Sequence, residues 1–492
     1  MRKTFVPLIL LALATVARPG EGQPQPSARV ETASKAAPID AAPIRAAIAE
    51  LKADVDGWGG SAAVMVLDLV TGAPIAALDE HAAMNPASNA KLTTAAVALK
   101  RLVGSRRFLT GLYGAPQGDR IEELVLRGEG DPSLATADLW ALAHELRGSG
   151  IQRVESIAVD QSAFDGQFVP PAFEQQPDEW AGFRAPVAAV SLNGNTVTFV
   201  TRAGKAGSEA RVVVDPPGFV DVTSAVRTTA KTDPEGLTLR LEPKGSRLAA
   251  QLGGHLPAGA RVLRTQRVDD PRLLAGYALR AILKDVGIQV TGDVRLGGEQ
   301  SKRLLASHRS APLAELLSSL GKDSDNFYAE MIFKAIAGAE KKRPATSATA
   351  AEIAATYLSE VGAFDQGTVV KNGSGLFDSN RATPSGMSTL LRAAYRDPAI
   401  APEFVAQLAI GGVDGTLRSR LRAWRGRRAV RAKTGTLDAV SALSGYVLAP
   451  PERSPAAFVI FVNRVPGRGS SVRPAIDKVV AAIATELWKG YP

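Results

Sequence analysis

The sequence predicts an α+β protein in which helical segments near both ends of the chain enclose a long β-rich stretch. Three observations carry that prediction. Apolar residues recur at helical spacing early in the chain and again from Leu313 onward. Between these regions, short β-like runs alternate with Gly, Pro and Asp turns. The chain then closes on apolar strands and an amphipathic helix.

The first segment stands apart from the fold. Arg2 and Lys3 precede an apolar run over residues 5–17 that is too short to span a bilayer comfortably. That is the pattern of a secretory signal over residues 1–17. Residues 18–42, rich in Pro, Gln, Ala and Ser, read as a flexible linker. A helical pattern then runs from Pro43 through Ile44, Ile48 and Leu51. Residues 61–70 read as a strand, Thr71-Gly72 as a turn, and residues 73–78 as its partner. Ser88 begins a helix: Pro86 lies just before it, and Leu92, Ala95, Ala96, Leu99 and Leu102 repeat at helical spacing.

The β-like runs follow at residues 154–160, 196–201, 210–214, 237–241 and 261–268, suggesting one or two small β-rich modules. Residues 273–286 look helical. Helices return at 313–320 and 326–337. Strands are expected at 431–433, 441–448 and 457–462, and an amphipathic helix at 474–488. No internal repeat of 20–50 residues is visible.

Composition narrows the chemistry. The 492 residues correspond to two to four domains at roughly 100–200 residues each. The apolar fraction of 45% is globular, and no apolar run beyond the N-terminus reaches membrane-spanning length. There are no cysteines, which excludes disulfides, thiolate metal sites and Cys nucleophiles. The four histidines (His81, His144, His255, His308) are scattered, which argues against a histidine metal cluster. The formal net charge of +9 favours association with anionic polymers or membrane surfaces. Nucleic acid is not the expected partner, because zinc spacing, RNA-binding aromatic signatures and long basic tracts are all missing.

Three short segments carry chemistry. In Ser88-Asn89-Ala90-Lys91, residues i and i+3 share a helix face, so the Lys91 amine can reach the Ser88 hydroxyl. A lysine of lowered pKa is a base able to activate a serine. The same pattern recurs at Ser319-Leu320-Gly321-Lys322, so alone it is weak. Ser324-Asp325-Asn326 precedes a helix and also reads as its cap; a second Ser-x-Asn stands at Ser191-Leu192-Asn193. Lys433-Thr434-Gly435, followed by Thr436, occurs once and falls on an expected strand, where Gly435 would let a ligand backbone approach the edge.

In this order, the three segments resemble the signature of β-lactamases and penicillin-binding proteins. Lys433 follows Ser324 by 109 residues, a spacing of the order seen in those enzymes. The long stretch between Lys91 and Ser324 resembles the insertion of the penicillin-binding protein 4-like D-alanyl-D-alanine carboxypeptidase/endopeptidases, the low-molecular-mass class C penicillin-binding proteins. Asn85-Pro86-Ala87-Ser88-Asn89-Ala90-Lys91-Leu92-Thr93-Thr94 looks like that family's nucleophile segment. Gly128-Glu129-Gly130-Asp131-Pro132-Ser133-Leu134, Gly373-Ser374-Gly375-Leu376 and Gly412-Val413-Asp414-Gly415-Thr416-Leu417 resemble three more of its segments. Two positions depart from it. Asn372 stands where the family usually has Asp, and Phe377-Asp378 stand where it usually has Ser-Arg.

The resemblance implies a serine β-lactamase/DD-peptidase-like antiparallel sheet flanked by helices, with a β-rich domain inserted between the Ser-x-x-Lys and Ser-x-Asn motifs. The peptidase domain would comprise residues 43–104 and 304–492, and the insertion residues 105–303. It further implies an exported periplasmic or cell-envelope enzyme acting on peptidoglycan peptides, blocked covalently by β-lactam antibiotics, with neither metal nor cofactor. Ser88 would be the nucleophile, Lys91 its base and Ser324 a proton relay to the leaving amine. Asn326, Lys433, Thr434, Gly435 and Thr436 would bind substrate, and the Ser88 and Thr436 N–H groups would hold the oxyanion.

The alternatives are a β-lactamase or esterase on the same fold, or a non-catalytic peptidoglycan-binding relative. Class A β-lactamases pair a water-activating Glu with an Asn four residues on. Here Glu330, Glu340, Glu352, Glu360 and Glu403 are followed at that distance by Lys334, Pro344, Thr356, Phe364 and Gln407. Slow release of penicillin is therefore expected. Asp178 is a candidate reader of the extra amine of a crosslinked peptide.

Overall fold

The computed structural model describes residues 39–299, 302–339 and 343–491. The signal expected at 1–17, and all but the last residues of the 18–42 linker, lie outside them.

A six-stranded antiparallel sheet is assembled from both ends of the chain. Its order is Ala409–Ile410, Val430–Leu437, Val440–Val447, Ala456–Asn463, Ser61–Asp68 and Pro74–Leu78. The inner strands are near-continuous apolar runs because both faces are covered, and alternate residues serve different cores. Ala62, Val64, Val66, Phe458, Ile460 and Val462 pack with the helices Ala42–Gly57 and Gly469–Trp488. Ala63, Met65, Leu67, Ala457, Val459 and Phe461 pack with Ala90–Leu102, Leu313–Gly321, Asn326–Ala339, Ser347–Glu360 and Pro384–Arg396. The closing helix begins at Gly469 rather than Pro474, so the proline lies inside its second turn.

Ala90–Leu102 is the central helix of the second layer. It is buried along residues 90–99, as an Ala-rich helix apolar almost all round should be. Asn326–Ala339 is likewise buried, with Glu330 and Lys334 inside it.

A third core lies between Leu109 and Arg309. The strands Gln289–Val290, Arg153–Asp160 and Arg120–Gly128 run parallel; Leu109–Gly114 and Arg303–Arg309 continue the same sheet antiparallel. A parallel pair needs a crossover, and the helix Thr136–Gly148 supplies it between Arg120–Gly128 and Arg153–Asp160. That helix was not expected from the sequence. It packs against Leu274–Asp285. Because Arg303–Arg309 pairs with Leu109–Gly114, this sheet continues past the boundary expected at residue 303. Two smaller sheets follow. One has the order Arg261–Arg267, Thr196–Arg202, Arg211–Asp215; the other has Arg227–Thr229, Arg247–Pro257, Gly236–Lys244, with Val220–Ser224 beside the second strand.

Candidate active site

Ser88 does not open the α-helix itself. It lies in a 3-10 turn, Ala87–Asn89, that feeds into Ala90–Leu102. The turn is pinned to the sheet. Asn463, the last residue of its strand, accepts from Asn85 N through Oδ1 (2.9 Å) and donates from Nδ2 to Asn85 O (3.0 Å). Asn85 Oδ1 accepts from Ala87 N at 2.9 Å, and Ala87 is held at φ +46°. Left-handed backbone at a non-glycine residue costs on the order of 1–3 kcal/mol and persists only where its surroundings over-determine it.

One helical turn on, Lys91 is fully buried. Its Nζ lies 3.1 Å from Ser88 Oγ, 2.7 Å from Asn326 Oδ1 and 2.7 Å from Ser374 O. Burial lowers its pKa to about 7, against the opposing charges of Glu330 and Asp325.

Ser324 occupies the loop between Leu313–Gly321 and Asn326–Ala339, at φ +62°. The helix cap expected of the Ser324-Asp325-Asn326 segment is present, and it is not Ser324 that forms it. Asp325 takes that place, its Oδ1 accepting from Tyr328 N at 3.0 Å. Ser324 Oγ accepts from Lys433 Nζ at 2.7 Å, and Lys433 also donates to Thr434 O at 2.8 Å. Lys433 is fully buried; burial first, and the Lys91 charge second, push its pKa well below the ordinary lysine range.

The strand Val430–Leu437 delivers Lys433 and Thr436 to the site, and Thr436 lines the cleft beside Ser88. Thr434 instead pairs its hydroxyl with Thr416 Oγ1 at 2.8 Å. The glycine at 435 also meets a steric need that the sequence does not show. A Cβ there would lie 2.7 Å from Asn89 Nδ2 and 2.8 Å from Pro86 O, so its missing side chain makes room for the nucleophile turn.

Sequence reasoning located the remaining braces as segments, without their contacts. Gly412–Leu417 ties two motifs together: Asp414 pairs with Lys322 at 2.7 Å, Thr416 N donates to Lys322 O at 3.0 Å, and Thr416 holds Thr434. Gly373 and Ser374 lie against the central helix, where Thr94 Oγ1 donates to Gly373 O at 2.8 Å. Glu330, considered above only as a water-activating base, is fully buried behind Lys91 and accepts from Ser374 N at 2.7 Å and Gly373 N at 3.2 Å. Its i+4 spacing from Asn326 was the signal that could have placed it here.

The two departures have local explanations. Asn372 Nδ2 donates to Pro171 O (2.9 Å) and Ser379 Oγ (2.9 Å), while its Oδ1 accepts from Gly375 N (2.9 Å). A carboxylate has no hydrogen for the Pro171 carbonyl. Asp378 accepts from Asn85 Nδ2 at 3.1 Å and pairs with Arg381 at 2.6 Å; Arg381 holds its carboxyl below the ordinary range.

These groups open into a cavity of about 770 Å³ lined by Ser88, Ser324, Asn326 and Thr436. Gln175, Gln176 and Phe183 form another part of its wall, and Phe183 O accepts from Asn326 Nδ2 at 3.0 Å. Asp178, from the same segment, is exposed and does not line this cavity. A second hollow of about 550 Å³ lies across Ser324, walled by Pro132–Ala135 residues and Tyr328.

Known proteins match this arrangement along nearly the whole chain. The profile of the D-Ala-D-Ala carboxypeptidase 3 (S13) family matches residues 44–487. The D-alanyl-D-alanine carboxypeptidase of Actinomadura sp. (strain R39) is 33% identical over 471 residues, covering 90% of this chain and 85% of that protein. D-alanyl-D-alanine carboxypeptidase DacB of Haemophilus influenzae is 28% identical over 396 residues, covering 77% and 80%. The crystal structure of penicillin binding protein 4 from Haemophilus influenzae superposes with a TM-score of 0.74 at 25% identity, covering 88% of this chain and 98% of that one. The same protein complexed with a β-lactam gives 0.70 at 26% identity, covering 90% and 99%. The mixed α+β fold expected from the sequence agrees with these neighbours. A family match over residues 44–487, with a relative at 33% identity, places the chain in the D-Ala-D-Ala carboxypeptidase 3 (S13) family.

Proposed function

We propose that the protein is a serine-type D-Ala-D-Ala carboxypeptidase and/or DD-endopeptidase of peptidoglycan, working through an acyl-enzyme on Ser88. The observation that carries this reading is the surroundings of the Lys91 amine. Two of its three polar neighbours, Asn326 Oδ1 and Ser374 O, are carbonyl oxygens that can only accept. A neutral amine gives them its two hydrogens. Its lone pair is then left for the third neighbour, the Ser88 hydroxyl.

Lys91 takes the Ser88 proton as Oγ attacks the carbonyl carbon of the penultimate D-Ala. The carbonyl π electrons move to oxygen, and the Ser88 and Thr436 N–H groups stabilise that charge; one such donor is typically worth about 2.7–4 kcal/mol. Ser324 accepts from Lys433, so its own hydrogen is free to pass to the leaving amine, and the proton that Lys91 took from Ser88 replaces it on Ser324, leaving Lys91 neutral and Lys433 charged. The amide C–N bond breaks and D-Ala departs with that proton. Water then attacks the ester carbonyl and gives a proton to the neutral Lys91; the ester C–O bond breaks, Ser88 Oγ takes that proton back from Lys91, and the shortened peptide leaves as its acid. Lys433 and Thr436 face the substrate carboxylate.

A β-lactam enters the same sequence, but its opened ring remains tethered as the acyl group. Buried Glu330 is engaged by two backbone donors, which supports slow release rather than β-lactamase turnover.

The same reading implies a cell-envelope location. Arg418, Arg422, Arg425, Arg427 and Arg428 are exposed in the loop before Val430–Leu437. Arg427 also lies 5.8 Å and 5.2 Å from the Trp424 and Trp488 ring centres. This surface suits an anionic envelope component.

The test is intact mass after incubation with benzylpenicillin, with Ser88→Ala alongside. A long-lived single adduct, absent from the variant, supports the reading. Drug consumed without adduct favours a β-lactamase. Intact drug without adduct favours a non-catalytic relative or a different esterase pocket. Release of D-Ala from D,D-peptides but not from L,D-isomers then defines the substrate class.

A further inference from the structure

We propose that Glu330 is a positioning residue for Lys91: its carboxylate fixes the Gly373-Ser374 turn so that Ser374 O takes one amine hydrogen and the lone pair stays on Ser88. This rests on the reading of Lys91 as the base.

The helix Asn326–Ala339 reaches Lys91 twice. Asn326, at its first residue, accepts directly from the amine at 2.7 Å. Glu330, one turn later on the same face, acts through the turn. It accepts from Gly373 N and Ser374 N, and the Ser374 hydroxyl bonds to it as well. The Ser374 hydroxyl oxygen in turn accepts from Leu376 N at 3.2 Å. The other side of the turn faces the central helix: Gly373 O receives Thr94 Oγ1, and Ser374 O receives Lys91 Nζ. The turn is therefore clamped between a carboxylate on one helix and two donors on another. Gly375, at φ +73°, completes it; a Cβ there would lie 1.9 Å from Ala87 O, so the turn also touches the nucleophile segment.

Glu330 is expensive to keep. Burial raises its carboxyl above the ordinary range, while the donors from Ser374 and Gly373 oppose that shift. Gly373 N and Ser374 N can only donate, so the ionised form offers an acceptor to both. A buried charge retained in this way acts on its neighbours. The charged groups around Lys91 are Glu330, Asp325 and Lys433; Lys334, one turn beyond Glu330, is paired with Asp165. Glu330 opposes the effect of burial on Lys91. Its loss should both loosen the Ser374 carbonyl and make the Lys91 amine easier to deprotonate.

Glu330→Gln is close in volume; its carbonyl oxygen can accept from one of Ser374 N and Gly373 N, but its NH2 group then meets the other, donor to donor. The experiment measures benzylpenicillin acylation rate against pH on the full processed chain, normalised to acylable sites. Misplacement of a catalytic group by about 1 Å costs about 100-fold, and a fall of that order is expected. The rising limb should move to lower pH. A rate and limb matching the parent overturn the proposal. A reduced rate with an unmoved limb also overturns it, because general loosening would not move a titration. Should Glu330→Gln fail to fold, Glu330→Asp keeps the charge one methylene short. Its limb should stay near the parent's while its rate falls; an unchanged rate overturns the proposal. Lys91→Met separates the two readings. Acylation that survives it removes Lys91 as base, whereas a dead Lys91→Met beside an unaffected Glu330→Gln removes only the role of Glu330.

Discussion

Lys91 Nζ stands 3.1 Å from Ser88 Oγ, and its two closer neighbours are carbonyl oxygens. The amine can therefore be a base toward Ser88 only when neutral. Ser88→Ala should abolish the penicillin adduct, and Lys91→Met should slow acylation by about 100- to 10,000-fold, the usual range for losing a general base.

The pH profile follows from the same groups. Lys91 titrates at about 7, so acylation should rise with pH through that value as the active amine forms. Lys433 works as a cation toward a carboxylate, and burial sets its pKa below the ordinary lysine range. Its deprotonation, at a pH below the ordinary lysine range, should raise KM for D,D-peptides. Steady-state kinetics on a D-Ala-D-Ala peptide check both limbs: a rate independent of pH around 7 would contradict Lys91 as base.

Gly435→Ala should damage the site through sterics alone. The new Cβ meets Asn89 and the Pro86 carbonyl, which belong to the strained nucleophile turn. Overpacking of this kind costs about 1–3 kcal/mol. A lowered denaturation midpoint and slower acylation should appear together. Unimpaired acylation would show that the turn can give way.

Much of this was legible in the sequence for definable reasons. The strands Val440–Val447 and Ala456–Asn463 are long apolar runs, and Ser88, Lys91, Ser324 and Lys433 stand in ordered motifs. The crossover helix Thr136–Gly148 was missed because its short amphipathic pattern lies among β-like runs. The steric need at Gly435 is not legible, because sequence does not show which face of a strand meets the Pro86–Asn89 turn. Glu330 was weighed against one motif alone. Its function depends on Gly373 and Ser374, which are near it only in space.

The arginine loop should give salt-dependent attachment. Arginines near an anionic surface contribute about 1 kcal/mol each, and salt screens them within about 10 Å at 0.1 M. Arg422→Glu with Arg425→Glu should weaken binding to phosphatidylglycerol vesicles or to isolated peptidoglycan by at least about 30-fold. Cosedimentation with each, at low and high salt, distinguishes lipid from wall polymer. Binding to neither would leave the loop as solvated surface.

His308 should make stability depend on pH without touching the nucleophile. It stands between two carboxylates, with Nε2 3.4 Å from Asp131 Oδ2 and Nδ1 3.4 Å from Asp138 Oδ1. Hydrogen bonding to Asp131, with the charge of Asp138, raises its pKa although burial opposes this. Between the unfolded value near 6.5 and the higher folded value, the folded chain holds more protons than the unfolded one. The stabilisation is thus fully present below about pH 6.5 and is lost as pH rises through the folded value. His308→Gln should lower the denaturation midpoint at acidic pH and leave it nearly unchanged well above the folded value. An equal loss at both ends would mean that His308 acts by packing rather than by charge.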